Sequence, residues 1–460
     1  MSDGREAATI GALQRDEARW LRVLWCDNAN VIRLKALHLP SARLHASGPA
    51  LVARLERGLT ISQALQALPV MRDAPVADAQ LPPTREIRLV PDWPTLYAPP
   101  HTPGHCDVMA NFISDGAPWA LCPRDFLRRM ERRGSAAGLA FQIGVEIEFF
   151  LLQSDTADGA APRPVDHDVY AAASAHATSR AVIDEVTDNL WRSGIALAGY
   201  NPESGPGQHE ISLAHASPLV IADRLVAARD IIRAVALRHA RSVTFLPKLF
   251  ADATGSGAHL HLSLWADGRN VTADAQQPFG LDARARHFIA GLMTHLAALT
   301  ALTTPTPSSF RRLQPQTWSG AFTAWGIGNK EAAVRVLIDR EAASAARFEL
   351  KTVDLSANPY IAIGAVLAAG LDGIATAQRL GDPIDVTPDA LSESERRHLG
   401  IARLPADLAA ALAALAGDAV LCDALGADLA RVYAAVRRAE HDALHGESLE
   451  RERALLLTRY

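Results

Sequence analysis

The stretch GVEIEFFLL, residues 144–152, decides the fold of this chain. Polar and apolar residues alternate along its first half, so that Glu146 and Glu148 share one side and Val145 and Ile147 share the other. Alternation with a period of two is typical of a β-strand, and it places the two carboxylates roughly 7 Å apart on one face. The stretch therefore predicts a strand whose polar face lies opposite its core-packed face.

Two further segments have the same pattern. GAHLHLSL, residues 257–264, and RFELK, residues 347–351, each alternate polar residues with leucine or phenylalanine. Their polar positions are His259, His261 and Ser263 in the first segment and Arg347, Glu349 and Lys351 in the second. Three such strands in one sheet would form a polar floor backed by an apolar core.

Size and composition narrow the class of protein. The chain has 460 residues, of which 49% are hydrophobic, and a formal net charge of −5, which argues against nucleic-acid or membrane-surface partners. No run approaches the ~18 apolar residues of a membrane span. Residues 1–10 lack the apolar core of a signal peptide, and the four cysteines lack metal-ligand spacing. Together these features favour a cytoplasmic protein with reduced thiols.

The order of patterns along the chain predicts an α+β fold with a domain boundary near Pro118. Residues 1–118 contain short strand-like runs and one helical pattern over residues 50–68, whereas residues 119–460 alternate polar-faced strands with long helices. Those helices are predicted at 123–134, 178–194, 217–241, 283–303, 359–379, 405–416 and 421–446.

The segment NPESGPGQHE, residues 201–210, predicts a tight loop that leads into a strand, with Glu203 and Glu210 at the two ends of the loop. Alone, it fits an exposed acidic turn equally well, and His259 alone would be an ordinary core histidine. Taken together, the carboxylates of these segments and His259 indicate a metal site, because buried carboxylates without a counter-charge are costly. Ligands this rich in oxygen favour Mg²⁺ or Mn²⁺ over Zn²⁺.

Basic residues cluster in SSFRRLQP (308–315), GNKEAAVRV (328–336) and RFELK. Surface charge is the ordinary explanation, but Arg335 and Arg347 lie among apolar neighbours, where an idle cation would be costly. Carboxylates for metal ions together with arginines for anions describe a phosphoryl-transfer site. The sequence has neither a GxxxxGK[ST] loop nor a GxGxxG fingerprint, so another architecture must hold any nucleotide.

Six segments, in this order and at these spacings, resemble the glutamine synthetase family, and the resemblance extends from about Trp20 to Tyr460. They are GVEIEFFLL, ESGPGQHE, FLPKLFADATGSGAHLHLSL, FRRLQP, NKEAAVRV and RFELKTVDLSANPYIAIGAVLAAGLDGI. The resemblance implies a small N-terminal β-grasp domain, residues 1–118, and a larger catalytic domain, residues 119–460, with a curved antiparallel sheet and flanking helices. It also implies a homo-oligomer, a dodecamer of two stacked hexameric rings, in which a neighbour's N-terminal domain completes each active site.

The family pattern also implies roles for individual residues. One divalent ion would be held by Glu148, Glu203 and Glu210, and a second by Glu146, His259 and Glu349. The ATP phosphates would be bound by Arg335 and Arg347, with His261 and Ser263 beside the nucleotide. The acid substrate would be bound by Arg312, which with Arg335 would be catalytic. The rest of the substrate pocket would be lined by Gly255, Trp318, Lys330 and Lys351.

The implied reaction joins a carboxylic acid, expected to be L-glutamate, to an amine with the use of ATP. The γ-carboxylate attacks the terminal phosphate of ATP, and the amine then displaces phosphate from the resulting acyl phosphate.

Three departures from the family pattern fall in the substrate pockets. The family has a glutamate six residues after the arginine that Arg312 matches, where this chain has Trp318. It also has an aspartate in an N-terminal segment that here reads RGLTISQALQALP, residues 57–69. Lys330 and Lys351 replace two family arginines, and lysine cannot make the planar bidentate contact with a carboxylate or phosphate.

Loss of two acids from the ammonium pocket beside an intact metal-ligand set favours a different nucleophile. We therefore expect a γ-glutamyl–amine ligase that acts on an organic amine or polyamine, with Trp318 offering an apolar or cation–π surface. Two alternatives stay open: an ordinary glutamine synthetase that uses ammonia, and a catalytically silent relative that serves as a scaffold or sensor.

Overall fold

The fold is seen in a computed structural model that describes residues 18–45, 48–154, 161–338 and 345–460. A small sheet lies in the first part of the chain. Its strands are β1 (Trp20–Cys26), β2 (Ile32–His38), β3 (Leu59–Ser62), β4 (Glu86–Pro91), β5 (His105–Ser114) and β6 (Ala117–Pro118). They run in the order β2-β1-β5-β4-β3, with β6 paired to β5, and only the β1–β5 pair of these described strands is parallel. The helices α1 (Leu39–His45) and α2 (Gly48–Glu56) belong to this part of the chain.

A second, larger sheet carries the predicted site. Its strands are β7 (Ala140–Gln153), β8 (Leu197–Pro202), β9 (Gln208–Ala216), β10 (Arg241–Thr244), β11 (Leu260–Ala266), β12 (Arg269–Asn270), β13 (Trp325–Ile327), β14 (Val334–Leu337) and β15 (Arg347–Leu350). The order is β13-β14-β15-β11-β7-β9-β8, with β10 paired to β7 and β12 to β11. Apart from the parallel β13–β14 pair, the paired strands described in this sheet are antiparallel.

Helices occur before, between and after these strands along the chain, and several of them pack against this sheet. They are α3 (Pro123–Ala136), α4 (Ala173–Arg192), α5 (Pro218–Arg238), α6 (Ala283–Thr303), α7 (Pro307–Arg312), α8 (Pro359–Ala375), α9 (Glu393–His398), α10 (Leu408–Ala416), α11 (Ala419–Leu425), α12 (Ala427–Leu444) and α13 (Leu449–Leu456). The apolar residues of β7 that alternate with its glutamates are buried, as are Phe348 of β15 and Phe288 of α6, whose rings lie 5.4 Å apart. The predicted α+β class, with a small sheet domain before a large sheet flanked by helices, is confirmed.

The helical pattern predicted over residues 50–68 is wrong between Glu56 and Gln63, after which a short 3₁₀ helix, Gln63–Ala67, follows. α2 ends at Glu56, and β3 follows because Leu59 and Ile61 alternate and pair with Leu89 and Ile87 of β4. Gly58 makes the turn with a φ of 71°, where a Cβ would lie 2.4 Å from the Leu89 carbonyl oxygen. Strand pairing thus overrides the local helical period.

The single helix predicted over residues 421–446 is also wrong. It is two helices, α11 and α12, because Gly426 takes a φ of 85° and caps the first while it begins the second. The other predicted helices are present with ends shifted by a few residues, and 283–303 matches α6. The division of the chain at residue 118 falls between β6 and α3, and it stays a prediction.

No single helix within the described ranges is long and apolar enough to cross a membrane. α10 and α11 reach the required length and apolarity only as a pair, and they meet at 85°.

Candidate active site

The polar floor of the large sheet is built by cross-strand neighbours. Glu148 of β7 lies opposite Glu210 of β9, and His261 of β11 lies opposite Glu349 of β15. Glu349 in turn lies opposite Arg335 of β14. Because side chains of one face project together across a ladder, the alternation seen in the separate segments becomes a single polar surface.

His259, which directly precedes β11, lies at the centre of three carboxylates. Its Nδ1 is 2.9 Å from an oxygen of Glu146, 3.4 Å from one of Glu349 and 3.7 Å from one of Glu148. Arg312 Nη2 lies 3.2 Å from the other ring nitrogen, so His259 is contacted on both of its ring nitrogens.

Three of these residues form a group with metal-ligand geometry. Glu146, His259 and Glu349 bring one ligand atom each to within 4.8 Å of one another, and no other group of three does so within the ranges described. Two oxygens and one imidazole nitrogen suit Mg²⁺ or Mn²⁺. The ligand set predicted at Glu146, His259 and Glu349 is thus brought together, and its role as a metal site stays a prediction.

The other predicted ligand set, made up of Glu148, Glu203 and Glu210, lies in the same region with wider spacing. Glu148 accepts a hydrogen bond from the Gly257 backbone amide at 2.7 Å. Glu203, in the loop between β8 and β9, accepts hydrogen bonds from Asn201 and the Ser204 amide, and Glu210 accepts one from Ser212 at 2.9 Å.

Crowding of these acids perturbs their protonation. Burial, with the charges of Glu146 and Glu148, raises the pKa of Glu210 to about 9. Burial, with the charge of Glu148, raises the pKa of Glu203 to about 7. Acids that hold protons near neutral pH because they are buried beside other acids are stabilised as anions by a divalent cation, so the donor set fits such an ion.

Two cations surround Glu349. Lys351 Nζ lies 2.9 Å from Oε1, and Arg335 Nη1 lies 3.3 Å from Oε2. Burial alone would raise the pKa of Glu349, but the charges of Lys351 and His259 lower it to about 2. Glu349 is therefore held as an anion, and Lys351, which the resemblance assigned to the substrate pocket, pairs with a predicted metal ligand.

Arg312 lies at the end of α7 and is buried against the glycine-rich segment before β11. Its Nη1 and Nη2 donate to the backbone carbonyls of Val353 and Lys351 at 3.2 and 3.0 Å. A Cβ at Gly257 would lie 2.4 Å from Arg312 Nη2, and one at Gly255 would lie 2.3 Å from the Pro247 carbonyl. Both glycines therefore permit the approach of protein groups rather than only of a ligand.

Every site residue predicted from the sequence lines one of two adjoining cavities. The larger, of about 450 Å³, is lined by His261, Ser263 and Arg347, and the smaller, of about 240 Å³, by the remaining residues of the prediction. Glu146 lines both, so the cavities meet at a predicted metal ligand. Trp265 also lines the larger cavity and donates to Ser263 Oγ at 2.9 Å.

Aromatic residues stand at the rim of the smaller cavity. The rings of Trp318 and Tyr170 meet edge to face with centroids 6.4 Å apart, and Lys330 Nζ lies 5.9 Å from the indole centroid. Burial and the charges of Glu203 and Glu210 raise the pKa of Tyr170, which lines the same cavity as these acids. Sequence reasoning missed Tyr170, which belongs to none of the recognised segments.

Comparison with known protein families decides the relationship. The family described as glutamine synthetase, catalytic domain, matches residues 120–455. The chain belongs to the glutamine synthetase family. It is therefore an ATP-dependent ligase, and members of this family generally use ATP and a divalent metal.

Individual relatives agree with this assignment. Gamma-glutamylpolyamine synthetase GlnA3 of Streptomyces coelicolor is 34% identical over 96% of this chain and 94% of its own length. The glutamine synthetase of Halobacterium salinarum is 36% identical, over 73% of each chain. Among solved structures, a novel glutamine synthase homolog has a TM-score of 0.82 at 28% identity, covering 96% of this chain and 99% of its own. A GmaS/ADP complex has a TM-score of 0.81 at 30% identity, covering 98% and 99%.

Proposed function

We propose that this glutamine synthetase family member joins the γ-carboxylate of L-glutamate to an organic amine, through an acyl phosphate formed from ATP. The observation that carries the proposal is an asymmetry. The acids around His259 are retained and assembled, whereas an indole, Trp318, stands at the rim where the resemblance places a glutamate.

The two cavities divide the substrates between them. The larger cavity, with Arg347, His261 and Ser263 on its wall, is suited to ATP, and the smaller cavity to glutamate and the amine. Their meeting at Glu146 supports a terminal phosphate that would lie beside the acid substrate, where the two must react. Positioning of this kind converts an encounter of two anions into a step within one complex.

In the first step, a γ-carboxylate oxygen bonds to the terminal phosphorus, and the bond from that phosphorus to the departing ADP oxygen breaks. Arg335 and Arg347 bring positive charge to the transferring phosphoryl group. Two divalent ions, at the predicted sets led by Glu146 and Glu148, would screen the phosphate and carboxylate charges when bound. Arg312 is proposed to bind the α-carboxylate of glutamate. To do so, it must break one of its hydrogen bonds to a backbone carbonyl and donate to the substrate instead.

In the second step, the nitrogen of the neutral amine bonds to the acyl carbon, the bond from that carbon to the phosphate oxygen breaks, and the proton lost by the nitrogen leaves with the phosphate. Ammonium is small and is best recognised by acids, whereas an alkyl amine also has apolar surface that can contact Trp318 and Tyr170. The name of the Streptomyces relative, a gamma-glutamylpolyamine synthetase, supports an amine larger than ammonia.

Phosphate release from ATP in the presence of glutamate and a panel of amines tests the proposal. The panel should contain ammonia, methylamine, ethylamine and linear diamines and polyamines at matched concentrations of free base. We expect at least one organic amine to give a higher kcat/KM than ammonia, with the γ-glutamyl amide detected by mass spectrometry. Equal or better turnover with ammonia would make the protein an ordinary glutamine synthetase.

We further propose that the protein works in the cytoplasm as a homo-oligomer of ring form, in which a neighbouring N-terminal domain closes the site.

A further inference from the structure

The loop of residues 314–320, between α7 and β13, holds its backbone in an uncommon conformation. Gln316 and Trp318, neither of them glycine, have φ values of 60° and 57°. Side chains with a Cβ seldom adopt this left-handed region because the Cβ crowds the following carbonyl. Contacts hold this backbone in place, and some lie within the loop, where the hydroxyls of Thr317 and Ser319 donate to the Gln314 carbonyl.

From outside the loop, Glu331 accepts two backbone hydrogen bonds with a single carboxylate. Its Oε2 accepts a hydrogen bond from the Gln316 amide at 3.2 Å, and its Oε1 accepts one from the Trp318 amide at 2.9 Å. The side chain is buried, with 9% of its surface exposed, and its own amide donates to Asn329 Oδ1 at 3.0 Å. The two non-glycine residues of the loop with left-handed backbone are thus the two that Glu331 binds.

The segment around Glu331 holds the loop at two more points. Lys330 lies over the indole of Trp318, with Nζ 5.9 Å from the ring centroid. Gly320 has a φ of 75°, and a Cβ there would lie 2.7 Å from the Cα of Ala333. Residues 329–333 therefore lie against the loop from its strained residues to its end.

The consequence is a fixed position for the indole at the rim of the smaller cavity, where it meets Tyr170 edge to face. We propose that Glu331 is the positioning residue that fixes Trp318 as a permanent apolar wall of the amine site, with Tyr170 beside it. The proposal rests on the proposed amine-ligase function. Its substrate consequence is a preference for amines that carry an alkyl chain long enough to contact the wall.

Kinetics of Glu331→Ala and Glu331→Gln test the substrate consequence. The alanine variant loses both acceptors, and we expect KM for the amine to rise at least tenfold while KM for ATP and glutamate stays within twofold. The glutamine variant keeps one oxygen acceptor and should be intermediate. Glu131→Ala is the matched control, since Glu131 Oε1 also accepts a backbone hydrogen bond, from Leu219 at 3.2 Å, but Leu219 lines neither cavity, whereas Trp318 lines the smaller one.

Fluorescence tests the positioning itself without any substrate. The difference in emission between each protein and the same protein carrying Trp318→Phe isolates the signal of Trp318. We expect this signal to shift to the red and to be quenched more strongly by acrylamide in Glu331→Ala, and less so in Glu331→Gln, which also serves if the alanine variant does not fold.

The outcomes separate this proposal from the function on which it rests. An unchanged Trp318 signal, or a loss that falls equally on the KM of ATP, glutamate and amine, overturns the positioning role. A changed Trp318 signal with an unchanged KM for the amine overturns the claim that Trp318 forms a wall of the amine site. If ammonia proves the better substrate, the proposed function fails, and the fluorescence result still decides whether Glu331 holds Trp318.

Discussion

In the predicted ligand set of Glu148, Glu203 and Glu210, the pKa of Glu210 is raised further than that of Glu203. Burial, with the charges of nearby Glu146 and Glu148, raises the pKa of Glu210 to about 9, and burial with the charge of Glu148 raises the pKa of Glu203 to about 7. Without a bound ion, Glu210 therefore holds a proton at neutral pH. Each carboxylate must release its proton before it can bind a cation.

The first prediction follows because both pKa values are raised. Mn²⁺ or Mg²⁺ binding should release roughly one to two protons near pH 7, so affinity should rise as the pH rises from 6 to 8. Calorimetry in two buffers of different ionisation enthalpy measures the number released. Glu210→Gln should release about one fewer, and heats that do not depend on the buffer would contradict the prediction.

Trp318 carries the second prediction. Trp318→Glu places a carboxylate where the resemblance has one, and it should raise kcat/KM for ammonia about tenfold or more, an effect of about 1.4 kcal/mol. It should lower kcat/KM for alkyl amines. Trp318→Phe, which keeps an aromatic surface without the charge, is the control. Ammonia kinetics that are the same in both variants would show that this position does not select the nucleophile.

At the scale of single elements, the sequence predicted the strands that carry chemistry better than those that only pack. β7, β11 and β15 could be predicted because Glu146, His261 and Glu349 each alternate with apolar residues that enter the core. β3 was missed because its pairing partner, β4, lies more than twenty residues away and leaves no local sign. The break at Gly426 needed only one residue with positive φ, which a helical period does not reveal.

The residues of the candidate site likewise differ in how far the sequence alone could predict them. The predicted ligands each lie in a segment with its own pattern, and the structure brings all of them to two adjoining cavities, where their role as ligands stays a prediction. Glu331 was passed over inside NKEAAVRV because its function depends on a loop thirteen to fifteen residues away. Such a contact is a property of the fold and not of any segment.

The packing of α6 against α8 gives a third prediction. Gly291 and Gly373 let the two helices touch, and a Cβ at Gly373 would lie 2.1 Å from the His287 carbonyl. Gly373→Ala should lower the free energy of unfolding by about 1–3 kcal/mol through overpacking. Gly381→Ala, where no atom lies within 4 Å of the new Cβ, is the control. Denaturant unfolding curves that are equal for the two variants would contradict the account of this contact.

For the whole molecule, the fourth prediction concerns assembly. The smaller cavity has an open rim at Tyr170 and Trp318, which are 52% and 46% exposed, and the resemblance implies that a neighbouring subunit covers such a site. Native mass spectrometry should therefore detect a complex of about twelve times 49.2 kDa. A monomer at micromolar concentration with full activity would contradict both the assembly and the shared site.

The central claim is that side chains from β7, β9, β11, β15 and the loop before β9 hold two divalent ions beneath the terminal phosphate of ATP. A crystal structure with Mn²⁺ and a non-hydrolysable ATP analogue, with anomalous differences measured for manganese, tests it most directly. We predict one peak among Glu146, His259 and Glu349 and another among Glu148, Glu203 and Glu210, with the nucleotide in the larger cavity. Peaks elsewhere, or none at these residues, would contradict the account.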